Sequence, residues 1–291
     1  MTHNVFTKLY QSLVEPVMYY SAAIWGIGNA ELKKIQIVQN KACRYFLGGG
    51  KYASNVALRG DMGWVSAGVN AKVDAFGMYL KLDRLPPSRL TQQVHWWSKN
   101  VNRSWESRVL SMASKHGCLD ILNDNSKCVK AVVSELKQTL SITDATQLKM
   151  ELDKSDKLRT YKQYKCDLQV EHYSTLSLSR DHRRTLFRFR SCSLPLFVET
   201  GRYNRPKVPL GERICKLCSL NKVEDEVHFL IDCSLYSDYR YDLFMKASVL
   251  NDAFVDMPSI DKMKFIMNCN ELQRLLANNL TNMYKRRNVF T

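Results

Sequence analysis

Apolar residues recur along this chain at three- and four-residue intervals far more often than in strict alternation, the pattern of helices rather than strands. Phe6, Leu9, Tyr10, Leu13, Val14 and Val17 keep that spacing. Pro16 falls inside the run and predicts a kink or a restart, because proline brings no N–H and its ring crowds the preceding turn. Gly26 and Gly28 end this first stretch. A second helix is predicted over about residues 30–47. At ~100° per residue, Leu32, Ile35, Val38, Ala42 and Phe46 share one face, and Lys33, Lys34, Lys41 and Arg44 fall on roughly the opposite side. Gly48, Gly49 and Gly50 stop it, and a short helix follows, capped by Ser54 and closed by Gly60. Ser66 caps the next helix, whose stripe is Val69, Val73, Phe76 and Leu80, and Pro86 and Pro87 mark the turn after it.

Further helices are predicted over residues 88–100, 104–116 and 126–153, the last broken by a turn near residues 141–144. Between residues 152 and 165, lysine, aspartate and tyrosine replace the apolar pattern, so a helical region 1–153 and a C-terminal region 154–291 are expected. The helix opening at Ser179 is followed by a connection containing Pro195, Gly201, Pro206, Pro209 and Gly211. A final helix is predicted over about residues 259–287, ending in Lys285, Arg286 and Arg287, where the helix dipole favours cations. The fold class is therefore mainly α, with no internal repeat and no low-complexity tract.

Composition changes this picture only in its choice of partner. The chain has 291 residues, 45% hydrophobic and 24% charged, which suffices for a buried core. Its net charge of +15 favours a polyanion, nucleic acid ahead of an anionic membrane. The charge is concentrated: residues 156–214 hold 13 Lys or Arg against 6 Asp or Glu. The apolar stretch 16–25 is about half the length needed to span a bilayer and lacks the flanks of a secretion signal. An intracellular protein, nuclear and/or cytoplasmic, with no membrane partner is expected. Nine cysteines agree with that. The number is odd, and Cys43, Cys118, Cys128, Cys166, Cys192 and Cys269 lie far apart, unlike a disulfide framework. Isolated cysteines of this kind are commonly small buried hydrophobes.

The most specific motif is Cys215-x2-Cys218-x9-His228-x4-Cys233. Four soft or borderline donors within nineteen residues suit a tetrahedral Zn2+ ion. The first two come from a tight Cys-x-x-Cys turn. His228 and Cys233 are expected on a helical turn starting near Glu224, with Glu224, Asp225 and Glu226 in its first turn. Three thiolates and one imidazole leave no open coordination position, so the zinc would be structural. Unrelated cysteines or a redox Cys-x-x-Cys are the alternatives; a redox pair normally opens a helix after a strand, a context missing here.

Arg180, Arg183, Arg184, Arg188 and Arg190 crowd one helix, and Arg180, Arg184 and Arg188, at i, i+4 and i+8, form a stripe whose mutual repulsion a phosphate backbone would relieve. Leu186 and Phe189 point elsewhere and can hold that helix on a core. Lys216 and Lys222, flanking the first two metal ligands, are further candidates for phosphate contact, as are Lys33, Lys34, Lys41 and Arg44. A solvated basic face is the competing explanation for each group. Trp25, Trp64, Trp96, Trp97 and Trp105 are expected to be core anchors, and His95, His116, His172 and His182 have no partner pattern. No Asp-Asp pair, Walker A loop, Gly-x-Ser-x-Gly elbow or His-Glu-x-x-His motif occurs, so neither an enzyme nor a small-molecule substrate is expected.

The segments LVEPVMYYSAAIWG and LKKIQIVQNKACRYFLGGGKYASNVALRGDMGW resemble the region following the palm in reverse transcriptases of non-LTR (LINE-type) retrotransposons. The run LFRFRSCSLPLFVETGRYN and, after it, GERICKLCSLNKVEDEVHFLIDCSLYSDYR resemble the C-terminal zinc-knuckle segment of the same proteins, so the resemblance extends from about Phe6 to Arg287. It implies a thumb-like helical bundle that grips a template–primer duplex, followed by a helical segment with a small CCHC knuckle-like module. It also implies zinc at Cys215, Cys218, His228 and Cys233, and RNA and/or DNA approaching Arg183, Arg184, Arg188 and Arg190. The family's fingers, palm aspartates and endonuclease are not among these residues. The resemblance thus implies a catalytically inactive C-terminal fragment whose partners include the other parts of such a polymerase. The middle gap is longer than in retroviral nucleocapsid knuckles, so their mode of base readout is not expected. The alternative is a zinc-dependent protein–protein adaptor derived from such an element.

Overall fold

The computed structural model describes residues 1–165 and 167–290, for Phe290 the backbone only; Cys166, counted above among the isolated cysteines, lies outside the described residues, as does Thr291. The described chain is mainly α, and its one β pairing is an isolated antiparallel bridge between Ile214 and Val223. No described helix is long and apolar enough to cross a membrane. Two compact units form: residues 7–42 with 64–150, and residues 1–6 with 43–63 and everything from 151 onward. Residues 1–6 and 43–63 thus cluster with the C-terminal residues rather than with the helices on either side of them in sequence.

The unit of residues 7–42 and 64–150 is organised around the helix Ala67–Asp83. Its Val69, Val73, Phe76 and Leu80, the predicted stripe, meet Val109 and Ala113 of the helix Trp105–Lys115 and Val132, Leu136 and Leu140 of the helix Val129–Asp153. The Ser66 hydroxyl accepts the Gly68 N–H, as the cap signal predicts. The Ala67 N–H is taken by the side-chain oxygens of Gln36 and Gln39, at 3.0 and 3.1 Å. These amides occupy donors that a helix start leaves open, and they turn the helix Asn29–Leu47 about its axis relative to the apolar stripe expected for it. Gln39 and Asn40 are buried, and Val38 is 41% exposed.

Two other expectations fail in this unit. The helix Val129–Asp153 runs unbroken, because the Ser141 and Thr143 hydroxyls donate back to the carbonyls of Lys137 and Thr139 and stay inside the helix instead of capping a turn. Trp96 and Trp97 are exposed; the helix Leu90–Lys99 buries His95 instead, between Glu106 at 3.3 Å and Asp83 at 3.6 Å. At the N-terminal end a widened turn, Tyr10–Val14, precedes Pro16, and Tyr10 stacks on Trp64 while Leu9, Leu13 and Val17 stay exposed.

In the other unit, the helix Arg180–Arg190 packs along the C-terminal helix Gln273–Phe290 and buries Leu186, Phe187 and Phe189 with Leu276, Leu280 and Met283. The predicted final helix is divided in two, Ser259–Asn268 and Gln273–Phe290, because the Gln273 amide donates to the carbonyls of Ile266, Met267 and Cys269 and satisfies the end of the first. The short helix Asn55–Met62 closes at Gly63 rather than Gly60, and Ser54 makes no side-chain cap. The isolated cysteines follow expectation in part: Cys43, Cys118 and Cys192 are buried and Cys128 is exposed.

The three consecutive glycines do more than stop a helix. Gly48 takes a left-handed φ of 70°, and a Cβ there would lie 2.7 Å from the Arg184 Cβ; one at Gly49 would lie 2.9 Å from the Phe187 ring. Beneath this contact is a buried polar centre. Asp61 accepts from Tyr161 Oη at 2.8 Å, Tyr173 Oη at 2.7 Å and Arg190 Nε at 3.2 Å. Glu171 Oε2 pairs with the other arm of Arg190 at 2.7 Å, and the guanidinium faces the Tyr164 and Tyr173 rings. Burial and the Asp61 charge push both hydroxyls that donate to it, those of Tyr161 and Tyr173, well above the usual tyrosine range, so they remain donors.

Asp61→Asn is expected to lower unfolding stability by roughly 1–3 kcal/mol, since it removes one of the two carboxylates that offset the buried Arg190 charge and leaves Glu171 as the other; urea melts of the two proteins measure it. Gly48→Ala combines a strained φ with a clash against the Arg184 Cβ and Cγ and is expected to cost roughly 1–3 kcal/mol. Equal urea midpoints for that variant and the parent would contradict the close packing of this loop on Arg184.

Candidate metal centre and the basic residues

Residues 213–224 form a small knuckle. Cys215 N–H donates to the Lys222 carbonyl at 2.8 Å and Glu224 N–H to the Arg213 carbonyl at 2.9 Å, around the Ile214–Val223 bridge. The Cys-x-x-Cys turn lies inside, and the Leu217 N–H points at the Cys215 sulfur at 3.4 Å, as backbone amides do when they stabilise a thiolate. His228 and Cys233 come from a single wide helical turn, His228–Asp232, and the residue after it. The helical run that contains this turn opens at Glu226, close to the expected start near Glu224. Asp225 accepts the His228 N–H at 2.8 Å as a cap, while Glu224 and Glu226 point inward.

The donor atoms of Cys215, Cys218, His228 and Cys233 all lie within 4.8 Å of one another, so these four residues could hold one metal ion. A tetrahedral ion with metal–sulfur bonds of about 2.3 Å needs sulfurs about 3.8 Å apart, a contraction of an ångström or less from this arrangement. The Cys218 sulfur is already 3.4 Å from His228 Nε2. Cys215, Cys233 and His228 are buried. The hydrogen bond with Cys233, and then His228, push the Cys215 thiol down, while the same partnership pushes Cys233 up. The thiolate is the form in which cysteine binds a thiophilic cation.

A shell of buried ion pairs surrounds the ligands, and its partners lie too far apart along the chain to be read from spacing. Glu224 receives Arg287 through two hydrogen bonds, 2.8 and 3.0 Å, and also accepts the Phe197 N–H. Buried Glu226 receives Arg159 at 2.7 Å. Arg213 donates to the carbonyls of Val198 and Val208, and Arg240 to that of Cys233. The only local signal was the acidic triplet 224–226, which first-turn helix logic explains for Asp225 alone. Arg287 likewise serves an ion pair rather than the end of a helix dipole.

The expected nucleic-acid contacts divide into two groups. Arg183 is buried: its Nε donates to the Phe46 carbonyl at 2.8 Å, an amino group donates to the Met1 carbonyl at 3.0 Å, and the guanidinium covers the Phe46 ring. Arg190 is the centre of the Asp61 network. Both expectations are corrected; these arginines hold the fold because their helix face carries Leu186, Phe187 and Phe189 into the core. Arg44 is half-buried and donates to Asn55 and Ala53. The exposed group is Arg180, which lies over the Tyr45 ring, and Arg184, paired only with the exposed Asp181; half-buried Arg188 continues their stripe. Lys216 and Lys222 are exposed on the knuckle, Lys216 over the Phe197 ring and Lys222 3.0 Å from Asp232. Lys33, Lys34 and Lys41 are exposed on the other unit.

Comparison with protein-family models, with characterised proteins and with solved structures finds no match. The site is therefore read from its own chemistry. Titrated with Co2+ as a spectroscopic probe, the protein is expected to take up one equivalent with thiolate-to-metal absorption. Cys218→Ser should lose that absorption and loosen residues 213–236 while the helical circular dichroism largely persists. Full uptake by the variant would remove Cys218 from the ligand set.

Proposed function

We propose that this chain is a zinc-stabilised nucleic-acid-binding part of a LINE-type reverse transcriptase, without polymerase chemistry of its own. Zn2+ is the ion that three cysteines and one histidine in a tetrahedral set favour, and with all four positions filled it would act structurally, stiffening the knuckle that presents Lys216 and Lys222. The observation that carries the reading is the row Arg180, Arg184 and Arg188 standing at the surface of the same unit that holds the metal ligands. Arg183 and Arg190, from the same helix, are buried and anchor it. A helix so fixed offers its outer cations at a constant spacing, which suits a phosphate backbone and carries no base readout. The retrotransposon assignment rests on the resemblance of the segments quoted above.

Binding is expected to be mainly electrostatic. Its affinity should fall steeply with salt, with a slope of about −0.9 per phosphate contact on duplex DNA. Arg184→Ala with Arg188→Ala should flatten that slope by roughly 2. An affinity that hardly moves between low and moderate salt would sink the reading.

A protein–protein adaptor is the second reading, favoured by the exposed Trp96 and Trp97. It requires partner binding that ignores the arginine pair and responds to Trp96→Ala with Trp97→Ala.

A further inference from the structure

We propose that a cavity beside the arginine row takes an unpaired nucleotide, so that the preferred partner is single-stranded; this rests on the nucleic-acid reading above and names the form of its ligand. The cavity, of ≈ 560 Å³, is lined by Lys51, Tyr52, Lys157, Arg188, Glu199 and Tyr203 among others, all within one unit. Its volume falls inside the range of about 300–1,000 Å³ typical of small-ligand sites.

Three features select the ligand. First, Tyr52 and Tyr203 are 77% and 67% exposed, so two large aromatic rings stand in water at the edge of a concave surface. Such rings are stacking platforms for bases, because every base has a π face whatever its sequence. Second, Arg188 is half-buried as a residue and lines the cavity, while its guanidinium makes no hydrogen bond or ion pair among the described residues. A cation at the wall of a concave surface and left without an anion is a place for a phosphate. Lys51, exposed and resting only over the Tyr52 ring at 5.6 Å, adds a second charge. Third, the one carboxylate of the cavity is already compensated. Glu199 is paired with Lys157 at 3.5 Å and with Arg202 at 3.4 Å, so it does not cancel Arg188 or Lys51.

Arg188 follows Arg184 by one helical turn, so a strand whose phosphates track the row arrives at the cavity mouth with its next nucleotide. A base inside a duplex is stacked and paired and cannot enter; an unpaired one can, with its ring on a tyrosine and its phosphate on Arg188. The triple glycine sets this geometry: Gly48 and Gly49 lie against Arg184 and Phe187, and that contact carries Lys51 and Tyr52 to the helix.

The test is fluorescence anisotropy of the whole chain with a short single strand and with the blunt duplex of the same sequence, at one salt concentration. Tyr52→Ala with Tyr203→Ala should weaken single-strand binding about tenfold or more and leave duplex binding within about twofold. Tyr52→Phe with Tyr203→Phe should keep the single-strand affinity, as stacking requires and hydrogen bonding through the hydroxyls does not. Both rings are exposed, so the variants should retain circular dichroism and metal content. Equal losses on the two forms, or unchanged single-strand binding by the folded alanine variant, overturns the nucleotide cavity while the electrostatic reading stands. Failure of the parent protein to bind either oligonucleotide overturns both.

Discussion

One buried guanidinium organises the unit that carries the metal ligands. Arg190 has no access to water, and a charge in that position is tolerated only when opposite charges and hydrogen bonds surround it. Asp61 and Glu171 provide the charges, and Tyr161 and Tyr173 provide further donors to Asp61. Asp61 lies a hundred or more positions from the other three, which share one short segment before the arginine helix. Meeting at one arginine fixes the helix Asn55–Met62, the segment 161–173 and the helix Arg180–Arg190 against each other. An apolar core can slide by a rotamer; this arrangement has one register. The outer arginines of the same helix inherit that rigidity, and it gives their spacing meaning for a ligand.

The metal ligands are treated in the same way. Glu224 and Glu226 lie between the knuckle and the helical turn that together hold the four donors, and each is neutralised by an arginine from elsewhere, Arg287 and Arg159. Much of the positive charge near the site is therefore internal. Arg159, Arg183, Arg190, Arg213, Arg240 and Arg287 build the protein, and the cations left for a partner are fewer than the net charge implies.

The helices, the Cys3His set and the capping role of Ser66 were legible from spacing alone, because each depends on neighbours within a few residues. What sequence could not give depends on contacts across longer distances. A polar residue such as Gln39 can outrank Val38 for the buried face when a helix N-terminus needs an acceptor. Gln273 can end one helix and begin the next where an amphipathic pattern reads straight through. Serine and threonine near residue 141 look like turn formers until their hydroxyls fold back on the helix. Arginines 183 and 190 share a helix face with Phe187, a hint that spacing alone carries, but the buried partners that anchor them, Asp61 and the Phe46 carbonyl, lie far away in sequence.

The interleaving of the two units bears on the order in which the chain acquires structure. Residues 7–42 and 64–150 are all present once the first half has left the ribosome, so that unit can close early. The stretch 43–63 cannot: Asp61 must wait for an arginine 129 positions later, and Glu224 for another 63 positions further on. During that interval the Asp61 carboxylate lacks Tyr161, Tyr173 and Arg190, while Phe46 already has Phe6 to stack on. The glycines at 48–50 suit this delay, since a flexible tether lets the early segment stay solvated until the arginine helix arrives to receive it.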